Sequence, residues 1–457
     1  MTRNRFIENL KTVILVVLFL TTILLLYLLW GPSFSPNIAQ IFEPESNYMP
    51  VNAADYIEPL YVAYCRGGEA FSFAADPKHE FAEGVNTFAA YNSAEALLAE
   101  ISESTYKEAM GTFKSAQICL GYNVPFLEFC EYFGIGRVMG ADSIEYMESF
   151  AFSEASSESV FIKDGTNHKF YRLLFAESHA VPENDKSDGF GLRYYAGDIL
   201  GGGSNALISL SGESHLESLI FNAESDDQSR REMAEAVFGD TFDFVRRITD
   251  SFGNNTYMYG YGQKTLSSNV SGRFEYQSEQ GSAENAGFFK ELESALEFAK
   301  GFGGLEDDLV LCNVSRSRGK TQGYVFEFCQ KLGGVRLYSE DGPALMVEIC
   351  GSQVIRAERF SVDAQWTSAE DALPAAEPAN VLANNCNHIY NISTNSMLAV
   401  DQAQAYSYVA DNVRYLTLGY FESEASGTLI PCWVAATDTA QFYFDLYTAA
   451  PLGFERT

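Results

Sequence analysis

Residues 236–278 read AVFGDTFDFVRRITDSFGNNTYMYGYGQKTLSSNVSGRFEYQS, and the change of period inside this run decides the fold class. Just ahead of it, Arg230 to Phe238 place Met233, Ala234, Val237 and Phe238 on one helical stripe that reaches Gly239-Asp240, and TFDFVRRITD is read as its continuation. After polar turns, Tyr257 to Asn269 and Gly272 to Ser278 alternate aromatic and polar residues, the pattern of half-buried strands. A helix feeding hairpin-linked strands points to an α+β chain of antiparallel and mixed sheets with packed helices.

Working towards the C-terminus, the polar, Ser-rich residues 277 to 283 mark a boundary. Glu284 to Lys300 then forms an amphipathic helix with Phe289, Leu292 and Leu296 on one stripe, stopped at Gly301. A meander is expected over Asp308–Arg316, Gly323–Lys331, Gly334–Ser339, Ala344–Cys350 and Gln353–Ser361, turning at Gly333, Gly342 and Gly351. Pro374 and Pro378 leave residues 369 to 383 at best a broken helix, after which Val413–Glu424, Thr428–Thr437 and Gln441–Tyr447 read as three strands. Helix plus meander thus recurs in plan. Towards the N-terminus, strands are expected at Tyr56–Tyr64 and Glu69–Phe73, joined at Gly67-Gly68, and a helix at Ser93–Met110. Lys114–Tyr122 and Val160–Ala176 read as strands, and Leu192–Leu200 and Asn205–Leu210 flank the Gly201–Gly203 turn.

Val13 to Trp30 (VILVVLFLTTILLLYLLW) is eighteen residues without charge, proline or glycine. Such a helix is roughly 27 Å long, enough to span a membrane once a neighbouring residue is drawn in. Arg3, Arg5 and Lys11 precede it and no Lys or Arg occurs in residues 31 to 50, so the N-terminus is expected in the cytoplasm. Its length, and the lack of an A-x-A-like site after Trp30, favour an uncleaved anchor over a signal peptide, and Tyr27 and Trp30 suit the headgroup level. The expected organisation is a cytoplasmic tail (1–12), a single transmembrane helix (13–30), an extended linker (31–48), an extracytoplasmic α+β domain divisible into two lobes (49–276), a helix-plus-meander domain (277–366) and a C-terminal β domain (367–457).

A formal net charge of −31 excludes most nucleic-acid roles, which need clustered Lys and Arg. The eight cysteines form no C-x-x-C pair, and most lie in apolar strand-like runs where a cysteine acts as a small hydrophobe. Ser-x-x-Lys occurs at Ser104–Lys107 and Ser317–Lys320, with Ser-x-Asn at Ser267 and Ser393. Yet the remaining signature of a Ser-Lys acyl enzyme fails, because Lys320-Thr321-Gln322-Gly323 carries an inserted Gln. The histidines (His79, His168, His179, His215, His388) show no H-E-x-x-H or H-x-H spacing, so no metal is expected. Glu183 to Gly189 fails as a calcium loop at Lys186 and Tyr195, and Gly134 to Gly140 is one residue too long for a dinucleotide fingerprint. No catalytic constellation and no cofactor are expected.

Several runs, in order, resemble the YycH family of regulators: Phe238 and Asp240 at a helix end, Val245-Arg246, Tyr259 to Leu266, and Phe274 to Tyr276. Ser294 to Gly303 and Phe326 to Val347 resemble the family's helix and second sheet domain, with Val335-Arg336-Leu337-Tyr338 replacing its Pro-Val. Leu418-Gly-Tyr420, Ile430-Pro-Cys-Trp433 and Phe442-Tyr-Phe444 are similar to C-terminal strands of YycH and YycI, and ENLKTVIL (8–15) to the family's entry into its span. The acidity and the eight cysteines depart from the family pattern. The resemblance implies a non-catalytic, single-pass protein of the cell membrane that pairs with a YycI-like protein. It would modulate a sensor histidine kinase of the YycG/WalK type, in a two-component system controlling cell-wall homeostasis.

Partner contacts in the membrane are expected at Thr21 and Thr22, the span's mid-depth polar groups, with Leu18, Leu25 and Tyr27. Each threonine hydroxyl has two readings, a bond to a neighbouring helix or a bond back to its own helix at the i−4 carbonyl. Two other functions are weighed: an anchored binding or scaffold protein for cell-wall ligands with no kinase partner, and a cell-wall hydrolase.

Overall fold

The computed structural model describes Leu18, Thr21 and residues 51–456, apart from 92–95, 137, 139, 184–185, 189–190, 211–215, 223–225, 280–285, 307, 318–322, 361–362, 367–373, 397–399 and 424–427. The chain divides into two compact units, Met1–Pro50 and Val51–Thr457. In the first, Leu18 and Thr21 have helical backbone, and the rest of the expected span lies outside the described residues. No helix among the described residues is long and apolar enough to cross a membrane.

Among the described residues the second unit contains two sheets. The first has nine strands in the order Leu97–Ile101, Lys169–Leu174, Ser159–Asp164, Tyr146–Ser153, Lys114–Pro125, Tyr61–Arg66, Phe71–Phe73, Arg193–Tyr195 and Leu207–Ser209. Its central strands are covered on both faces, and side-chain alternation sorts their residues between the two cores. Phe150 and Phe152 pack in the core beneath the helix Pro77–Ala90, through Phe81, Val85 and Phe88. Ala151 between them faces the opposite core, under Tyr106, Ala109 and Met110 of the helix Glu103–Gly111.

The expected helix over Ser93–Met110 is corrected. Leu97–Ile101 is an edge strand paired with Phe170–Leu174, and only after Ser102, whose side chain accepts from the Thr105 N–H, does the helix begin. Cross-strand pairing there outweighs local helical propensity. The helix Pro77–Ala90 escaped the reading although its signals are local, an Asp76 cap bonded to the His79 N–H and a proline at the first position.

The second sheet has 15 strands. Strands form at Leu309–Arg316, Tyr324–Leu332, Val335–Tyr338, Leu345–Cys350 and Gln353–Phe360, within a residue or two of expectation. Val335–Tyr338, however, leaves the meander. It turns back from the end of Tyr324–Leu332 and pairs in parallel with Tyr415–Ser423, Arg336 opposite Gly419 and Tyr338 opposite Phe421. Gly419 permits this approach, since a Cβ there would lie 2.9 Å from a Tyr338 ring carbon. The short strand thereby joins the middle meander to the C-terminal strands.

Pairing also runs across residue 276, where Arg273–Ser278 joins Gln353–Phe360, and Leu219–Asn222 pairs with both Thr428–Ala436 and Asp363–Trp366. TFDFVRRITD does not continue a helix. A 3-10 turn at Gly239–Phe244 leads into the strand Arg246–Thr249, because Gly239 (φ 49°) ends the helix Asp227–Phe238 and Asn255–Tyr259 offers a pairing edge.

The helix Phe288–Gly301 lies at the centre of the largest core. Phe288, Phe289, Leu292 and Leu296 are buried with Phe129 of the first sheet's helices and Phe326 and Val347 of the second sheet, as the stripe predicts. Tyr132 stacks on Phe289 at 4.0 Å. The buried Glu291 accepts from the N–H groups of Ala286 and Gly351, both at 2.9 Å, so it anchors both the helix entry and a strand turn.

Candidate functional site

In the first unit, the Thr21 hydroxyl donates to the Leu18 carbonyl at 2.9 Å, a bond within its own helix, and Leu18 is exposed. Thr22, Leu25 and Tyr27 lie outside the described residues.

The short catalytic patterns do not assemble. Ser104 sits at a helix start beside the Ser102 hydroxyl (2.8 Å), while Lys107 reaches Glu103 (3.5 Å) and the Gly203 carbonyl (2.7 Å). Ser317 donates to Glu348, and Lys320 lies outside the described residues. His168 meets Asp438 at 3.4 Å, His179 packs on Tyr91, and His388 sits against Phe442, Phe444 and Phe454, where burial lowers its pKa. Among the described residues no group of three or more His, Cys, Asp or Glu is arranged to hold a metal ion.

The arrangement that stands out is a polar cavity of about 500 Å3 where the first sheet meets both halves of the second. Two charge clusters lie along it. In one, the buried Glu148 carboxylate is held by Lys163 (3.0 Å) and Arg414 (2.6 Å), and Arg414 also meets Asp438 at 3.4 Å. Burial opposes ionisation of Glu148, but the two cations outweigh it and hold the carboxyl at about 2.

The other centres on Arg336. Its strand pairs with the end of Tyr324–Leu332, which puts Lys331 opposite Arg336. Lys331 takes the buried Glu58 carboxylate at 2.7 and 2.9 Å, whereas Arg336, only 8% exposed, donates to the Glu58 backbone carbonyl at 3.1 Å. No carboxylate among the described residues is within 4 Å of the Arg336 guanidinium.

Tyrosines surround Arg336. Tyr122 is 3% exposed and its hydroxyl has no hydrogen-bond partner among the described residues. Tyr415 donates to Gln441 at 2.8 Å, and Tyr338 packs against Tyr443. Burial pushes the Tyr122, Tyr338 and Tyr415 phenols up, and nearby Arg336 opposes the rise in each, which places all three hydroxyls in reach of its field. Two further carboxyls line the cavity. Glu327 accepts from Asn313 at 2.8 Å and Glu455 from Tyr443 at 3.3 Å, and burial raises both pKa values. The neighbouring Cys312 and Cys329 are free thiols, and burial raises the pKa of Cys312.

Sequence reasoning did not select Arg336. It noted the residue only within Val335–Tyr338, and an arginine in a short apolar strand carries no local sign that its carboxylate partner goes to another cation.

No protein-family model matches the chain, and no curated protein matches it by sequence. The crystal structure of YycH from Bacillus subtilis superposes with a TM-score of 0.53 at 10% identity, over 85% of this chain and 96% of that one. The fold is YycH-like. The Bacillus megaterium YpeB C-terminal domain aligns at a TM-score of 0.29 and 11% identity over 51% of this chain and 99% of that one, too loosely to carry an argument. Within the YycH-like fold, the stretches that carry the sequence resemblance are mostly packing positions. Leu266, Phe274 and Tyr276 are core, Trp433 and Phe442 are core, and Gly419 admits the Tyr338 ring.

Proposed function

We propose that the protein is a non-catalytic, membrane-anchored regulator of a sensor histidine kinase in a two-component system of cell-wall homeostasis. It acts through transmembrane and extracytoplasmic contacts with the kinase and with a YycI-like protein. The observation that carries this reading is the YycH-like fold over 85% of the chain, reached independently of the ordered sequence resemblance. The apolar run Val13–Trp30 supports a single anchor with the N-terminus in the cytoplasm and the large unit outside.

Regulation of this kind requires that the protein contact one state of the kinase better than the other, since equal affinity for both shifts nothing. Inside the bilayer, leucines give little net drive for association, so packing and hydrogen bonds supply the selectivity. Thr21, satisfied at its own Leu18 carbonyl, must break or share that bond to contribute. Purification of the tagged full-length protein from membranes in mild detergent tests the proposal. Recovery of a sensor histidine kinase with a YycI-like protein is expected, and recovery of neither sinks it.

A further inference from the structure

We propose that the cavity beside Arg336 is a binding site for a small anion, a carboxylate or a phosphate, held by the Arg336 guanidinium and the Tyr122 hydroxyl. The inference does not depend on the kinase reading.

Glu58 is satisfied by Lys331, and Glu148 and Asp438 by Lys163 and Arg414. Glu327 and Glu455 bond to Asn313 and Tyr443, and burial pushes both towards the neutral form. That leaves Arg336 as a buried guanidinium whose acceptor among the described residues is a backbone carbonyl, for a fork of five donors. A buried charge without an opposite charge is costly, and a fixed guanidinium fork matches carboxylate and phosphate oxygens two at a time.

The second observation is the Tyr122 hydroxyl. It is buried, unpartnered among the described residues, and lines the same cavity. Buried hydroxyls without partners are rare in folded proteins, and a phenol is a natural donor to an anion's second oxygen. The cavity, about 500 Å3, is within the usual range of small-molecule sites, so the anionic group has room to be carried on a larger body. Elsewhere the acidic chain repels anions; here a buried cation has no carboxylate in contact among the described residues, because the nearby Glu58 carboxylate is bonded to Lys331.

Equilibrium dialysis of the full-length protein in detergent tests this, with radiolabelled inorganic phosphate in one arm and acetate in the other, at ionic strength fixed by chloride. Saturable single-site uptake is expected in at least one arm, weakened roughly tenfold or more in Arg336→Gln and several-fold in Tyr122→Phe, which deletes only the hydroxyl. Uptake in the phosphate arm alone assigns a phosphate ligand, in the acetate arm alone a carboxylate, and in both a general oxyanion site. No saturable uptake in either arm overturns the proposal, as does uptake unchanged by Tyr122→Phe. Should Arg336→Gln fail to fold, Tyr122→Phe decides by itself.

Discussion

Glu148 and Arg336 are both buried charges in clusters that reach one cavity, the first through its partner Arg414, yet they are treated oppositely. Glu148 has two cations within 3.0 Å, Lys163 from a strand of the first sheet and Arg414 from just ahead of the strand Tyr415–Ser423, and its ionised form is held so firmly that its carboxyl stays at about 2. Arg336 stands opposite Lys331, which occupies the Glu58 carboxylate. The first cluster is a finished clamp between the first sheet and the C-terminal strands. The second is a cation held in reserve, and the contrast separates residues that hold the fold from residues available to something else.

Breaking the clamp has the largest expected effect. Glu148→Gln leaves Lys163 and Arg414 facing a neutral group, and a loss of about 3–5 kcal/mol is expected from urea unfolding of the full-length protein. The same residue governs the acid limb. A carboxyl that falls from an ordinary 4.5 to about 2 on folding contributes about 3 kcal/mol above the higher value, lost as pH falls from 4.5 towards 2. Glu327 and Glu455 act in the reverse sense: burial raises their folded values, so the stability tied to their neutral forms is lost as pH rises through those values. The stability slope between pH 4.5 and 2 should therefore flatten in Glu148→Gln, and an unchanged slope would remove Glu148 from the account.

A smaller effect is expected at Lys331→Met, about 2 kcal/mol by unfolding, because Glu58 then loses its partner while Arg336 remains near enough to compensate in part. The smallest concerns Arg336 itself. Arg336→Met, measured without added anion, should change stability by about 1 kcal/mol or less in either direction, since apolar replacement of an uncompensated buried charge removes a cost as well as a bond. A loss equal to that of Glu148→Gln would erase the distinction between the two clusters.

Local signals account for much of what was legible, the capped helix Pro77–Ala90 excepted. The five strands from Leu309 to Phe360 announced themselves by alternation and by glycine turns, and the stripe Phe289, Leu292, Leu296 marked the central helix because amphipathicity needs no knowledge of the partner. Leu97–Ile101 was misread because its state depends on Phe170–Leu174, some seventy residues away, while the helix Cys386–Ser393 is amphipathic but only eight residues long and Gln402–Asn412 is only weakly amphipathic. The catalytic patterns, all of four letters or fewer, dissolved once Ser104 and Lys107 were seen to bond elsewhere. None of the cavity residues was selected as a site, because each looks like ordinary strand content until its neighbours are known.

The sequence alone determined the α+β class, the apolar run Val13–Trp30, the acidic surface and the order of the helix-plus-meander units, all of which rest on composition or on periods a few residues long. Only the tertiary structure decided that Val335–Tyr338 crosses to Tyr415–Ser423 and that Lys331, not Arg336, keeps the Glu58 carboxylate. Burial and pairing between residues far apart in the chain are collective outcomes of packing, and whether a charge is compensated is a property of its neighbours in space.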